Sequence, residues 1–134
     1  MIKWISGAVV VFLIIISMGY LNYSYQENEA YRQMRANCEL LQLSILLNHN
    51  FDKSGGYPDK QEWLKRNSSE IGKIRCGRSL SINNGSLMDP WGNPYRYHKV
   101  SDGSVVLYSV KMEDEALQLD GGELKMAGKN PRYP

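Results

Sequence analysis

Two prolines within five residues constrain this chain most. In Asp89-Pro90-Trp91-Gly92-Asn93-Pro94-Tyr95 each proline fixes its own φ and removes a backbone donor. Each also pushes the residue before it, Asp89 and Asn93, out of the helical region. Gly92 admits a positive φ between them. The stretch is therefore an ordered loop that hands over to an extended segment at Tyr95–Val100. A loop that carries Trp and Tyr is expected to pack down on a core, with Trp91 as its staple. If that ring is buried, Trp91→Ala should cost about 3–5 kcal/mol. Asp89, as a residue before proline in a turn, has a structural role ready to hand.

The other strong constraint lies at the N-terminus. No charged residue occurs from Trp4 to Leu21. As a helix this stretch spans roughly 27 Å, near the hydrocarbon thickness of a bilayer. Trp4 stands at one end, and Tyr20, Tyr23 and Tyr25 at the other, like an aromatic belt. Lys3 lies before the stretch, whereas the first charges after it are Glu27 and Glu29. That asymmetry places the N-terminus in the cytoplasm and the remainder outside. No Ala-x-Ala-like site follows the apolar run, so an anchor (residues 1–25) is expected rather than a cleaved signal peptide. Residues 26–134 suffice for one small domain.

Beyond the anchor a second helical pattern begins. Tyr31, Met34, Cys38, Leu41, Ile45 and Leu46 recur at spacings of three and four, and Leu40, Leu43 and Leu47 widen that face. Glu29, Arg32, Gln33, Arg35, Asn37 and Glu39 form the polar side. So wide a stripe implies a helix laid on a sheet. His49 sits in the last turn, where a cation suits the dipole. Asn48-His49-Asn50 and Ser54-Gly55-Gly56-Tyr57-Pro58 end the helix. Asp59 and Glu62 then form a capping-box pattern for a short helix over Lys60–Lys65, with Trp63 and Leu64 as buried contacts.

The stretch 67–84 reads as irregular, with Ile71, Ile74, Leu80 and Ile82 as anchors; 71–76 is a short strand or a turn. The two cysteines, Cys38 and Cys76, behind an export-type N-terminus favour one disulfide over two buried thiols. Closing that loop stabilises by about 4 kcal/mol in the chain-entropy picture. From Tyr95 to Val100 aromatic and polar residues alternate, Asp102-Gly103 turns, and Val105–Val110 returns: a β-hairpin, with His98 facing solvent.

The segment Ser86–Tyr97, with its Asp-Pro-Trp-Gly-Asn-Pro centre, resembles the major pseudopilin of bacterial type II secretion. Ser54-Gly55-Gly56-Tyr57-Pro58 and Val106-Leu107-Tyr108-Ser109 resemble the same family in the same order, so the likeness covers roughly residues 27–110. The resemblance implies an α+β fold: a transmembrane helix running into a long amphipathic helix packed on a small antiparallel sheet. It implies a structural subunit in the inner membrane, exposed to the periplasm, whose partners are other pseudopilins or secretion-system components, with possible self-association. Members of that family carry a basic leader, a Gly cut site, an aromatic residue and a Glu shortly after; nothing between Met1 and Tyr25 matches. Two functions therefore stay open: an assembly subunit, or a membrane-tethered periplasmic binding or regulatory module that never polymerises. The family also holds calcium in an Asp- and Gly-rich loop. Glu113, Asp114 and Asp120 are the candidate ligands for it here, and a third strand or short hairpin with a Gly-Gly turn is the competing reading.

Other chemistry is poorly represented. The net charge of +2 provides no basic field for nucleic acid. Cys-x-x-Cys, Gly-x-Ser-x-Gly, His-Glu-x-x-His and Gly-rich phosphate motifs are absent. No catalytic residue is expected, and no cofactor beyond the candidate calcium.

Overall fold

The computed structural model describes residues 2–80, 82–112 and 115–126. The candidate ligands Glu113 and Asp114 and the tail 130–134 lie outside the described residues. The chain divides into two compact units, Met1–Arg32 and Gln33–Pro134. One helix, α1 (Ile2–Ser54), contributes to both. Its N-terminal part is long and apolar enough to cross a membrane, and none of the apolar window is buried within the protein. Val9–Ile16 is exposed side chain by side chain, as expected of a segment whose solvent is lipid.

In the second unit α1 is followed by α2 (Lys60–Arg66), α3 (Ser68–Lys73), a small hairpin of β1 (Ile82–Asn83) and β2 (Ser86–Leu87), and a four-stranded sheet. The sheet is an antiparallel meander of β3 (Arg96–Ser101), β4 (Ser104–Tyr108), β5 (Leu117–Asp120) and β6 (Glu123–Met126). The fold is thus α+β, and the expected hairpin is present as β3–β4. Beyond Val110 the described residues include a hairpin with the Gly-Gly turn. Asp120 pairs with Glu123, and Gly121 and Gly122 take φ of 59° and 85°, the two successive positive values such a tight turn demands.

The helix buries the face opposite to the one its longest apolar series suggests. Ala36, Leu40, Leu43 and Leu47 are buried, at spacings of four, three and four. Tyr31, Met34, Leu41 and Ile45 remain 45%, 62%, 46% and 57% exposed. At 3.6 residues per turn the two series lie on opposite sides of the helix. Both are apolar, so periodicity cannot choose between them. The leucine series wins because it meets Val105 and Leu107 of the central strand and Leu117 and Leu119 beside it. Glu39, on the expected polar side, is consequently fully buried.

Three further expectations change. The helix runs through Asn48–Asn50 to Ser54, because both asparagines find partners without ending it. Asn50 Nδ2 donates to the Leu46 carbonyl at 2.8 Å, and Asn48 Oδ1 accepts from the Tyr57 hydroxyl at 2.9 Å. The capping box does not close: Asp59 makes no side-chain cap, and its carboxylate lies 3.7 Å from Lys99 Nζ instead. Glu62 pairs with Arg66. The irregular stretch contains α3, a single helix of six residues pinned by the buried Ile71. Trp63 and Leu64 are buried as expected.

Candidate functional site

The loop at Asp89–Tyr95 is tied from within by a carboxylate. Asp89 is fully buried. Its Oδ1 accepts the backbone N–H of Trp91 at 3.0 Å and of Asn93 at 2.8 Å. Its Oδ2 accepts the Ser109 hydroxyl at 2.6 Å, just past the end of β4. The backbone closes the same turn: Asp89 N–H donates to the Asn93 carbonyl at 2.7 Å, and Gly92 N–H to that of Asp89 at 3.0 Å. Gly92 has a φ of 84°, as a turn of this shape requires. The prolines prevent competing helical geometry, and the carboxylate satisfies the amides they leave.

Trp91 does not act as the staple. It is half-buried and lies outside the core, so the expected 3–5 kcal/mol cost of Trp91→Ala does not apply. The buried aromatic of the loop is Tyr95, 2% exposed. Pro90, Asn93 and Pro94 are half-buried and Gly92 is exposed.

Tyr95 links the loop to a second buried carboxylate. Its hydroxyl donates to Glu39 Oε2 at 2.6 Å across 56 residues of sequence. Glu39 Oε1 lies 3.6 Å from Arg35 Nη2 and 3.6 Å from Arg78 Nε. Arg78 Nη2 donates to the Met88 carbonyl at 2.8 Å, one residue before Asp89. Cys38 and Cys76 flank this cluster and form the expected disulfide, with Cα atoms 5.9 Å apart. Four separate stretches of chain thus converge: α1, the cysteine turn, the proline loop with Tyr95, and Ser109 just past β4. Sequence reading found Asp89, Tyr95 and both cysteines, and missed Glu39, Arg78 and Ser109. A signal for Glu39 existed in its place beside Cys38, but only tertiary contacts show that its face is the inner one.

This arrangement holds backbone in place. Ser109 and Asp89 are buried, and Ser109 Oγ also accepts the Lys111 N–H at 3.2 Å. A cleft of about 450 Å³ between α1 and α3 is lined by Gln42, Ile45, Leu46, His49, Glu70, Lys73, Ile74 and Arg75. Neither carboxylate of the cluster opens into it. Asp120 sits at the end of β5, exposed and 3.4 Å from Lys125 Nζ. Among the described residues no group of three His, Cys, Asp or Glu side chains converges to hold a metal. His98 is half-buried rather than solvent-facing, stacked on Tyr108 with ring centroids 5.9 Å apart.

Burial, reinforced by its bond to Glu39, holds the Tyr95 hydroxyl well above its ordinary value of 10.0. Burial does the same for Tyr97, whose hydroxyl donates to the Pro58 carbonyl at 2.5 Å. In the unfolded chain both ionise near 10, while the folded domain keeps both protons. Their contribution to stability is therefore complete below pH 10 and drains away as pH rises above it. Thermal unfolding across alkaline pH should show a falling Tm from about pH 10 upward. Tyr95→Phe should flatten that fall; an equal slope in the variant would show that Tyr95 is not protected.

Fold and site together define a class of protein: an α+β domain, cross-braced by a disulfide and two buried carboxylates, on a helix long and apolar enough to cross a membrane. No protein-family model, curated protein or solved structure matches the chain.

Proposed function

We propose that this protein is a pseudopilin-like structural subunit of a type II secretion or related pilus-like system. In this reading it is anchored in the bacterial inner membrane, N-terminus in the cytoplasm and domain in the periplasm, and it works through protein–protein contacts. The observation that carries the proposal is the unused apolar face of α1. Met34, Leu41 and Ile45 are 62%, 46% and 57% exposed on the side turned away from the sheet. A water-exposed helix gains nothing from such a stripe on its own, whereas a helix packed laterally against a partner buries it. The resemblance at the proline loop and the α+β architecture support the same reading.

A second reading is favoured by a different observation. No acidic residue occurs between Met1 and Tyr25. In the family a carboxylate within the apolar segment pairs with a neighbour's N-terminus during assembly. Without it, the fold would serve a tethered binding or regulatory module that does not polymerise.

Photo-crosslinkers placed at Met34 and Leu41 of the full chain, in membranes of its own host, separate the two. A filament subunit should give a ladder of self-adducts. A lone monomer band, with the secretion machinery present, would refute the assembly role. Adducts to one other protein without a ladder would support the tethered module.

A further inference from the structure

The disulfide and the buried Glu39 cluster are built from the same two pieces of chain. Cys38 directly precedes Glu39 on α1, and Arg78 follows Cys76 by two residues. The turn between them is short: Arg75 bridges to Ser79, and Cys76 N–H reaches the Arg78 carbonyl at 3.4 Å. On either side of the turn, Ile74 and Leu80 are 9% and 2% exposed and belong to the core. The turn itself contributes little apolar burial. Arg75, Gly77, Arg78 and Ser79 are all exposed, and only Cys76 points inward. The disulfide is the covalent tie between this turn, which carries Arg78, and α1, which carries Glu39. The same segment supplies Ile74 and Arg75 to the wall of the cleft beside α3.

We propose that Cys38–Cys76 is a redox latch on the turn 75–79. Closed, it seats Arg78 on Glu39 and completes the cleft wall. Opened, it releases the turn locally while Ile74 and Leu80 keep the core assembled. In the opening step a dithiol reductant attacks the sulfur of Cys38, the less buried of the two cysteines, and the S–S bond breaks. Two electrons and two protons pass to the cysteines, giving two thiols, and the reductant closes to its own disulfide. Glu39 then keeps Tyr95 and Arg35 but loses Arg78. The domain would therefore reach its fully braced state only where thiols are oxidised, which ties its maturation to the compartment it enters. The latch does not depend on whether the chain polymerises.

A disulfide that acted only on the unfolded chain would lower Tm on reduction equally in every variant. A latch makes two different demands, both testable on the full chain in detergent micelles. First, limited trypsin digestion should cut after Arg75 and Arg78 at least about tenfold faster once the protein is reduced, with cleavage elsewhere in the domain unchanged. The Cys38→Ser/Cys76→Ser double variant should behave like the reduced protein. Cutting at equal rates in both redox states, or a uniform rise at all sites, would overturn the proposal. Second, the drop in Tm on reduction should be smaller in Arg78→Ala than in the wild type, by about 5 °C or more, because the contact that the latch protects is already gone. Equal drops would overturn it as well.

Discussion

Asp89→Ala should destabilise the domain by about 4 kcal/mol, because it removes a fully buried carboxylate that three donors share. The Trp91 and Asn93 amides and the Ser109 hydroxyl all point at the carboxylate, within 3.0 Å. Each buried donor left without a partner costs about 1–3 kcal/mol, and a small relaxation of the loop recovers part of the sum. For a domain of this size the loss corresponds to a fall in Tm of about 20 °C. Asp89→Asn should cost much less, about 1–2 kcal/mol. Its carbonyl can still accept both amides, and the Ser109 hydroxyl can turn to accept from the new NH2 group. Thermal denaturation of the full chain in micelles, followed by circular dichroism, measures both. A Tm for Asp89→Ala within a few degrees of wild type would show that the prolines alone hold the loop.

Trp63→Ala is the second large effect, expected at about 3–5 kcal/mol. Trp63 is 1% exposed and stacks on Tyr97, with ring centroids 5.8 Å apart and planes at 16°. It fills the space between α2 and the sheet so closely that the residual cavity beside it is only about 10 Å³. Removing the indole opens a void bounded by Leu64, Leu87 and Leu107, which belong to elements fixed on three sides and cannot collapse into it. Trp91→Ala, at the half-buried ring of the proline loop, should cost less than about 2 kcal/mol. The same melting experiment ranks the two. If Trp91 proved the costlier, the loop ring would be the anchor after all, and α2 a peripheral element.

The contrast between the two tryptophans shows how far sequence reasoning reaches in this chain. Both lie in segments that carry local order signals, a capping pattern for one and a pair of prolines for the other. Local signals state that a segment is ordered. They are silent on which of its side chains faces inward, because that depends on elements distant in sequence. In the proline loop the inward residues are an acid and a tyrosine, and they become intelligible only when Ser109 and Glu39 arrive from 20 and 56 residues away.

Periodicity has the same boundary. The order of elements was legible: an apolar stretch of membrane length, a long helix, a short helix with Trp63 inside, a hairpin at Asp102-Gly103, and a Gly-Gly turn. Each follows from backbone restrictions or apolar spacing within a few residues. The cysteine pair was legible too, since only two occur. Which apolar face of α1 meets the sheet was not. Tyr31-Met34-Leu41-Ile45 and Ala36-Leu40-Leu43-Leu47 are both good helical stripes, and a helix carrying two of them holds no internal reason to prefer either. Packing against β4 and β5 made the choice. That choice buried Glu39 beside Arg35 and Arg78, left Met34, Leu41 and Ile45 open, and so created both the brace and the unused face. Sequence alone determined the elements, because backbone geometry and hydrophobic spacing act locally. The tertiary structure decided the inside and the outside, because burial is a property of pairs of surfaces, and each pair here joins distant parts of the chain.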